Sequence, residues 1–241
     1  AENVVLNNGK KIPADLVICN ADPPTVYSEM LPSEYSRDSL LKPKKFTHYS
    51  MGLYVLFFGS KKKFSDVAHH TIWMSERYKE LLHDIFEKKI LTEDFSLYLH
   101  RPTATDDTFA PEGCDSFYVL CPVPNLQGNV QWNSEGPKLK DRIVEALDKT
   151  IMPGLKENIE AEFWMTPEDF KNDYRSKYGA GFSVAPIFSQ SAWFRYHNKD
   201  KKIPNLYFSA AGSHPGAGIP GVLCSAKVIE KLIIKDFKVS H

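Results

Sequence analysis

The chain has 241 residues, 42% of them hydrophobic and 25% charged, which is enough for one large or two small domains with a real core. Thirty basic side chains balance thirty acidic ones, so no global field favours nucleic acid. No apolar run approaches the length of a membrane span, and no secretory signal opens the chain; insertion across a bilayer is set aside, contact with its surface is not.

In chain order, Asn3 to Leu6 predicts a strand, Asn7-Asn8-Gly9-Lys10 a tight turn, and Ala14 to Asn20 a second strand. The continuous apolar run Leu16-Val17-Ile18-Cys19 is the pattern of a strand buried on both faces of a larger sheet. Two such strands at the start predict the edge of a domain whose beginning lies outside the sequence. Pro23-Pro24 ends this segment, and short helices are expected over Thr25 to Leu31 and Glu34 to Leu41, followed by a solvated linker at Lys42-Pro43-Lys44-Lys45.

The middle alternates strands and helices. Strands are expected at His48 to Phe58, around His70 to Met74, Phe95 to His100 and Ser116 to Val123, with a helix from Arg77 to about Lys88. Pro102 to Gly113 reads as a polar loop. Pro137 is expected to open a helix with Leu139, Ile143, Ala146 and Leu147 on one face. Thr166-Pro167-Glu168-Asp169 is a helix start, with a Thr cap, a first-turn proline and acids at the dipole. Gly179 to Trp193 is glycine-rich, apolar and irregular, which suits either a pocket lining or a long buried connection.

The most informative stretch runs from Asn205 to Asp236. A strand at Leu206-Tyr207-Phe208 leads through Gly212, Gly216, Gly218 and Gly221 into a helix, with Pro220 in its first turn and Val222, Ala226, Ile229 and Ile233 on one face. Such a turn lets backbone N–H groups crowd a ligand, and the helix start favours an anion such as a cofactor phosphate. A glycine turn serving packing alone is the competing reading. Gly216-Ala217-Gly218-Ile219-Pro220-Gly221 matches G-x-G-x-x-G, but the fingerprint also needs a following strand and an acid roughly 20 positions on. Asp236 has no strand before it, so the main dinucleotide cradle is expected elsewhere.

Other catalytic patterns fail. Cys19, Cys114, Cys121 and Cys224 form no C-x-x-C and read as reduced thiols. His69-His70 invites a metal, but adjacent residues on a strand point to opposite faces, and the remaining histidines show no ligand spacing. No G-x-S-x-G occurs. Arg195, after Trp193-Phe194, is a weak candidate for an electrostatic role beside a bound cofactor or apolar substrate, a plain surface cation being the default.

Several segments carry a family resemblance: AHHTIWMSERYKELLHDIF (68–86), LTEDFSLYLHRPTATDDTFAPEGCDSFYVLCPVPNL (91–126), EGPKLKDRI (135–143), QSAWFRYHNKD (190–200) and NLYFSAAGSHPGAGIPGV (205–222). The chain resembles the C-terminal portion of bacterial-type phytoene desaturases, within the FAD-dependent amine-oxidase-like superfamily. The resemblance implies an α/β plus α+β fold: a partial FAD-binding (GR2-like Rossmann) domain built from 1–42 and 199–241, and a mixed-sheet substrate and membrane-associating domain at 43–198. It implies a cytoplasmic, peripherally membrane-associated enzyme that uses FAD to introduce double bonds into a linear C40 or C30 polyene. By the same resemblance Asn20, Ala21 and Asp22 lie near the cofactor, and Gly212, Ser213, His214, Pro215, Gly216, Ala217, Gly218, Ile219, Pro220, Gly221 and Val222 along it. One departure is Ala210, where the family usually has glycine. The G-x-G-x-x-G cradle with its acidic partner is the expected contribution of a missing N-terminal segment, without which the chain is expected to be inactive. A silent fragment binding isoprenoid or a partner, or a related polyene isomerase or ketolase, are the alternatives.

Overall fold

A computed structural model describes residues 1–36 and 47–238. The helix expected over Glu34 to Leu41 is described only as far as Ser36, and the Lys42 to Lys45 linker with the expected boundary at 42/43 lies outside the described residues. The strands are β1 (Asn3–Val5), β2 (Lys11–Pro13), β3 (Val17–Cys19), β4 (Gly52–Ser60), β5 (His70–Trp73), β6 (Leu97–His100), β7 (Asp115–Val123), β8 (Ile159–Met165) and β9 (Leu206–Phe208). The chain divides into two units. Ala1–Ser50, Tyr174–Lys177 and Phe182–His241 form the first; Met51–Asp173 and Tyr178–Gly181 form the second.

In the first unit β1 and β2 make an antiparallel hairpin, and β3 pairs with β9 in parallel, Val17 opposite Leu206 and Cys19 opposite Phe208. The sequence does not mark β2, because Lys10-Lys11-Ile12-Pro13 offers a single strand-favouring residue, Ile12, between lysines and a proline. β9 is buried throughout, but β3 leaves Ile18 50% exposed, so the described residues do not bury this strand on both faces. Val26, Tyr27, Ile203, Leu206 and Phe208 form the core here. The Tyr27 hydroxyl donates to Asp200 Oδ2 (2.7 Å), and burial with this carboxylate pushes its pKa far up. The helix Ile219–Phe237 buries Ser225 and Ile229; Ala226, expected on that face, is exposed.

Residues 182–198 were expected in the middle domain but belong to this unit. Their polar groups explain why. Asn198 donates to the carbonyls of Phe208 (3.1 Å) and His214 (2.7 Å), and the His214 N–H donates to the Tyr196 carbonyl (2.7 Å).

The second unit is an antiparallel sheet in the order β5-β6-β7-β4-β8. β7 alternates buried and half-buried residues along its whole length, the period-two signature of a half-covered strand. The helix Trp132–Lys149 covers one face with Trp132, Leu139, Ile143 and Leu147. Pro137 lies inside this helix and does not open it, since Trp132 to Gly136 already take helical geometry. Close approach favours that early start: the Gly136 carbonyl accepts the Tyr54 hydroxyl (2.9 Å). β8 was also missed, although Ile159-Glu160-Ala161-Glu162-Phe163 alternates. The expected cap at Thr166 is present: Asp169 Oδ2 accepts the Thr166 N–H (2.7 Å) ahead of the helix Pro167–Asn172. Asp115 is buried at the start of β7, accepting from Arg101 Nε (3.0 Å), Thr103 Oγ1 (2.6 Å) and the Phe64 N–H (2.7 Å).

Candidate functional site

In the first unit β3 and β9 run parallel, so the segments after Cys19 and Phe208 leave at the same edge. That edge, beyond the carboxyl ends of parallel strands, is where open α/β sheets bind ligands. Asn20 Nδ2 donates to the Ser209 carbonyl (2.6 Å), and the Ser209 N–H donates to the Cys19 carbonyl (3.0 Å). Ala21 packs on the Tyr27 core. Asp22 accepts from Ser183 Oγ (2.5 Å) and from the Lys177 N–H (3.2 Å). Burial raises its pKa, against the opposing pull of these hydrogen bonds and of Arg195.

The turn of 209–218 is built by close approach. A Cβ on Gly212 would lie 2.6 Å from Ser183 Oγ and 2.7 Å from Asp22 Oδ1, so glycine is required there by space. Ala210 does not take a positive φ, so alanine restricts nothing that the fold uses. Ser213 is fully buried: its hydroxyl donates to the Ala210 carbonyl (2.9 Å), accepts the Ala210 N–H (3.0 Å) and meets Ser225 Oγ (3.2 Å). It ties the turn to the following helix. His214 precedes a cis bond to Pro215, and its Nδ1 is buried with no hydrogen-bond partner. Gly216 and Gly218 have φ of +148° and +90°, conformations that glycine adopts freely. Ala217 joins them, half-buried.

Gly218 caps the helix without a side-chain hydrogen bond, Ile219 and Pro220 form its first exposed turn, and the half-buried Val222 returns its N–H to the Gly218 carbonyl (2.9 Å). A Cβ on Gly221 would lie 2.5 Å from the Gly216 carbonyl oxygen. The helix N-terminus is therefore open and held against a bare backbone, the arrangement that receives an anion.

Arg195 is not the surface cation expected by default; it is 5% exposed. Its Nη2 donates to the carbonyls of Ala211 (2.8 Å) and Phe182 (2.9 Å), and its Nε to Ala211 again (3.0 Å). Burial lowers its pKa while Asp22 raises it. The side chain lies 3.8 Å from a Cβ placed on Gly216 and holds the turn from behind. Its burial was not legible in a polar residue flanked by aromatics.

The second unit carries a different surface. On the sheet face opposite the Trp132–Lys149 helix, register aligns Phe163, Phe57, Tyr118, His100 and His70 across all five strands. Phe163 and Phe57 stack at 4.5 Å, Phe57 meets Tyr118 at 6.0 Å, and Tyr118 meets His100 at 4.9 Å. A cavity of about 400 Å³ opens beside Phe57, Pro102, Tyr118 and Phe163. It is large enough for part of an extended apolar chain.

A family model for flavin-containing amine oxidoreductases matches residues 2–228, and the chain belongs to that family. Among individual proteins, it is 45% identical over 239 residues to a lycopene-forming phytoene desaturase of Pantoea ananas, covering 98% of this chain and 48% of that protein. It is 43% identical to a neurosporene-forming phytoene desaturase of Rhodobacter capsulatus, covering 97% and 45% respectively. The chain thus spans about half the length of the curated relatives it matches. An oxidoreductase structure from Methanosarcina mazei superposes with a TM-score of 0.53 at 14% identity, over 95% of this chain and 48% of that one, which supports the fold alone. Among the described residues no helix is long and apolar enough to cross a membrane.

An open helix start, positive-φ glycines at Gly216 and Gly218 and an imidazole nitrogen without a protein partner are compatible with one side of a flavin nucleotide, while Gly212 and Gly221 are required by packing within the turn. They do not include a strand-to-helix cradle followed by an acidic partner, so the fit is partial.

Proposed function

We propose that this chain is the C-terminal portion of an FAD-dependent carotenoid desaturase acting on a linear polyene of the phytoene type. The observation that carries the reading is the shared edge at which Asn20–Asp22 and the 209–222 turn leave the paired strands β3 and β9, with an uncapped helix start among them. When bound, the flavin would accept a hydride from an allylic carbon while a proton leaves the neighbouring carbon to complete the double bond, and an external acceptor would reoxidise it. This chain's residues hold and orient it. The first turn at Gly218 to Val222 would receive an anionic or electron-rich part of the cofactor, and Arg195 and Ser213 keep the turn in shape from within.

In this reading the ends of the chain contribute to the flavin domain and the middle to substrate. The aromatic row from Phe163 to Tyr118 supports an apolar, extended substrate, because Phe163, Phe57 and Tyr118 offer adjacent ring surfaces beside the cavity. The dinucleotide cradle comes from an N-terminal segment; the exposure of Ile18 (50%), Ile219 (79%) and Leu223 (63%) supports a partner that covers them. Phe188, Trp193 and Phe194, all more than 60% exposed, support contact with a membrane interface, where Trp is enriched.

The test is to combine the chain with the N-terminal half of the Pantoea relative and supply phytoene in vesicles. The complex should retain flavin through gel filtration and yield products with lengthened conjugation. A complex that forms and holds flavin but leaves phytoene unchanged would sink the desaturase reading. Complex formation without flavin favours the silent-fragment reading.

A further inference from the structure

Adjacent histidines were expected to diverge, as they do within a strand, but His69 and His70 do not. β5 begins at His70, and His69 sits in the bend before it, so the alternation of the strand does not apply. The bend is fixed by the Arg101 N–H, which donates to the His69 carbonyl (2.9 Å). Register then sets His70 of β5 directly opposite His100 of β6. One ring nitrogen from each of the three histidines falls within 4.8 Å of the others, and His69 Nε2 lies 2.9 Å from His100 Nε2.

We infer that His69, His70 and His100 form a binding site for a divalent first-row transition ion of the zinc, nickel or copper type, bridging the start of edge strand β5 to the end of β6. Bonds of about 2.0–2.1 Å to a tetrahedral ion set its nitrogens roughly 3.3–3.4 Å apart. The 2.9 Å pair need open only by a few tenths of an ångström to admit one. His69 is already oriented for this: its Nδ1 is hydrogen-bonded to the Thr105 hydroxyl, which leaves Nε2 facing His100. A hydrogen bond on the outer nitrogen is the usual support of a metal-bound imidazole. His70 Nδ1 is likewise bonded to the Tyr98 hydroxyl (2.7 Å). The His70 and His100 rings stack at 12°, so His70 completes the set by turning about its Cβ–Cγ bond, and its exposure gives it room.

No carboxylate belongs to the cluster, which favours borderline ions over calcium or magnesium. Three protein ligands leave a fourth position for water. The ion ties down an edge strand that otherwise depends on four register pairs with β6.

The test is equilibrium dialysis of the purified full chain against zinc, nickel and calcium, with thermal melting in parallel. One zinc per chain is expected, removable by EDTA, with a higher melting temperature in zinc and no response to calcium. His69→Gln and His100→Gln should each weaken zinc at least tenfold, while His83→Gln, an exposed histidine outside the cluster, should leave it unchanged. Equal melting temperatures of variant and parent in EDTA would exclude a folding defect. Should the variants fail to fold, proton NMR of the parent decides: three imidazoles must shift together on zinc addition. Unaltered zinc affinity in the triple His→Gln protein, binding well below one equivalent, or shifts at other histidines alone would overturn the site.

Discussion

Around β4 every side chain from Gly52 to Leu56 is buried, whereas β3 in the first unit leaves Ile18 half exposed and the Ile219–Phe237 helix turns Leu223 outward. Both strands are apolar runs of similar character. The difference is what stands beside them: β4 has paired neighbours on each side and a helix across one face, and β3 has β9 on one side only among the described residues. Apolar sequence therefore reports what a strand is made to meet, and the structure of this chain reports how much of that it meets by itself. The first unit sets its open helix start beside strands that stay partly exposed, whereas the second buries the Asp115–Arg101 pair at the start of a strand paired on both sides.

The largest expected effect tests the completeness of the second unit. Asp115→Ala removes the carboxylate that Arg101, Thr103 and the Phe64 N–H all address, leaving a buried guanidinium without its counter-charge. The loss should be about 3–5 kcal/mol, read by urea denaturation followed through tryptophan fluorescence. A loss below 1 kcal/mol would mean that this interior admits water, and the contrast between the units would fail.

A smaller effect is expected in the first unit. Gly221→Ala places a Cβ 2.5 Å from the Gly216 carbonyl oxygen, a backbone atom that cannot turn aside. Overpacking of this kind costs about 1–3 kcal/mol, and hydrogen exchange should show it near 209–222 with the amides of β4 and β7 unaffected. Smaller again, Asp169→Ala removes the acceptor for the Thr166 N–H and should cost about 1 kcal/mol, confined to the helix Pro167–Asn172 in the second unit. Protection lost evenly across the chain in either variant would show that the units do not open separately.

Much of this was legible from residues. The period-two pattern of β7, the proline and acid at Thr166, and the strand–glycine–helix order of 206–237 all appear where spacing predicts them. What was not legible depends on contacts far apart in sequence. Arg195 is buried because the carbonyls of Phe182 and Ala211 receive it, and nothing in Phe194-Arg195-Tyr196 announces that. The histidine cluster needed the register of β5 on β6, which sets His70 opposite His100 and which spacing along the chain does not give. Pro137 misled because proline marks helix starts more often than interiors, and here the Gly136 carbonyl is engaged by Tyr54 of the sheet face beneath the helix.

The smallest prediction separates the two kinds of buried carboxylate. Asp115 has Arg101 in direct contact, but Asp22 has a hydroxyl, a backbone N–H and only the longer-range field of Arg195 and Lys177. Desolvation outweighs these, so Asp22 binds its proton more tightly folded than unfolded. A carboxyl raised in this way favours the fold below the ordinary aspartate range, and that contribution is lost as pH rises through the raised value. Asp22→Asn keeps the shape and removes the proton. Over that window the parent should lose stability relative to the variant, by at most about 1.4 kcal/mol per pH unit for one proton, with no difference in slope at higher pH. Parallel curves from acid to neutral would mean that Arg195 and Lys177 already offset the burial. The first unit would then be better closed around its turn than the exposure of its strands suggests.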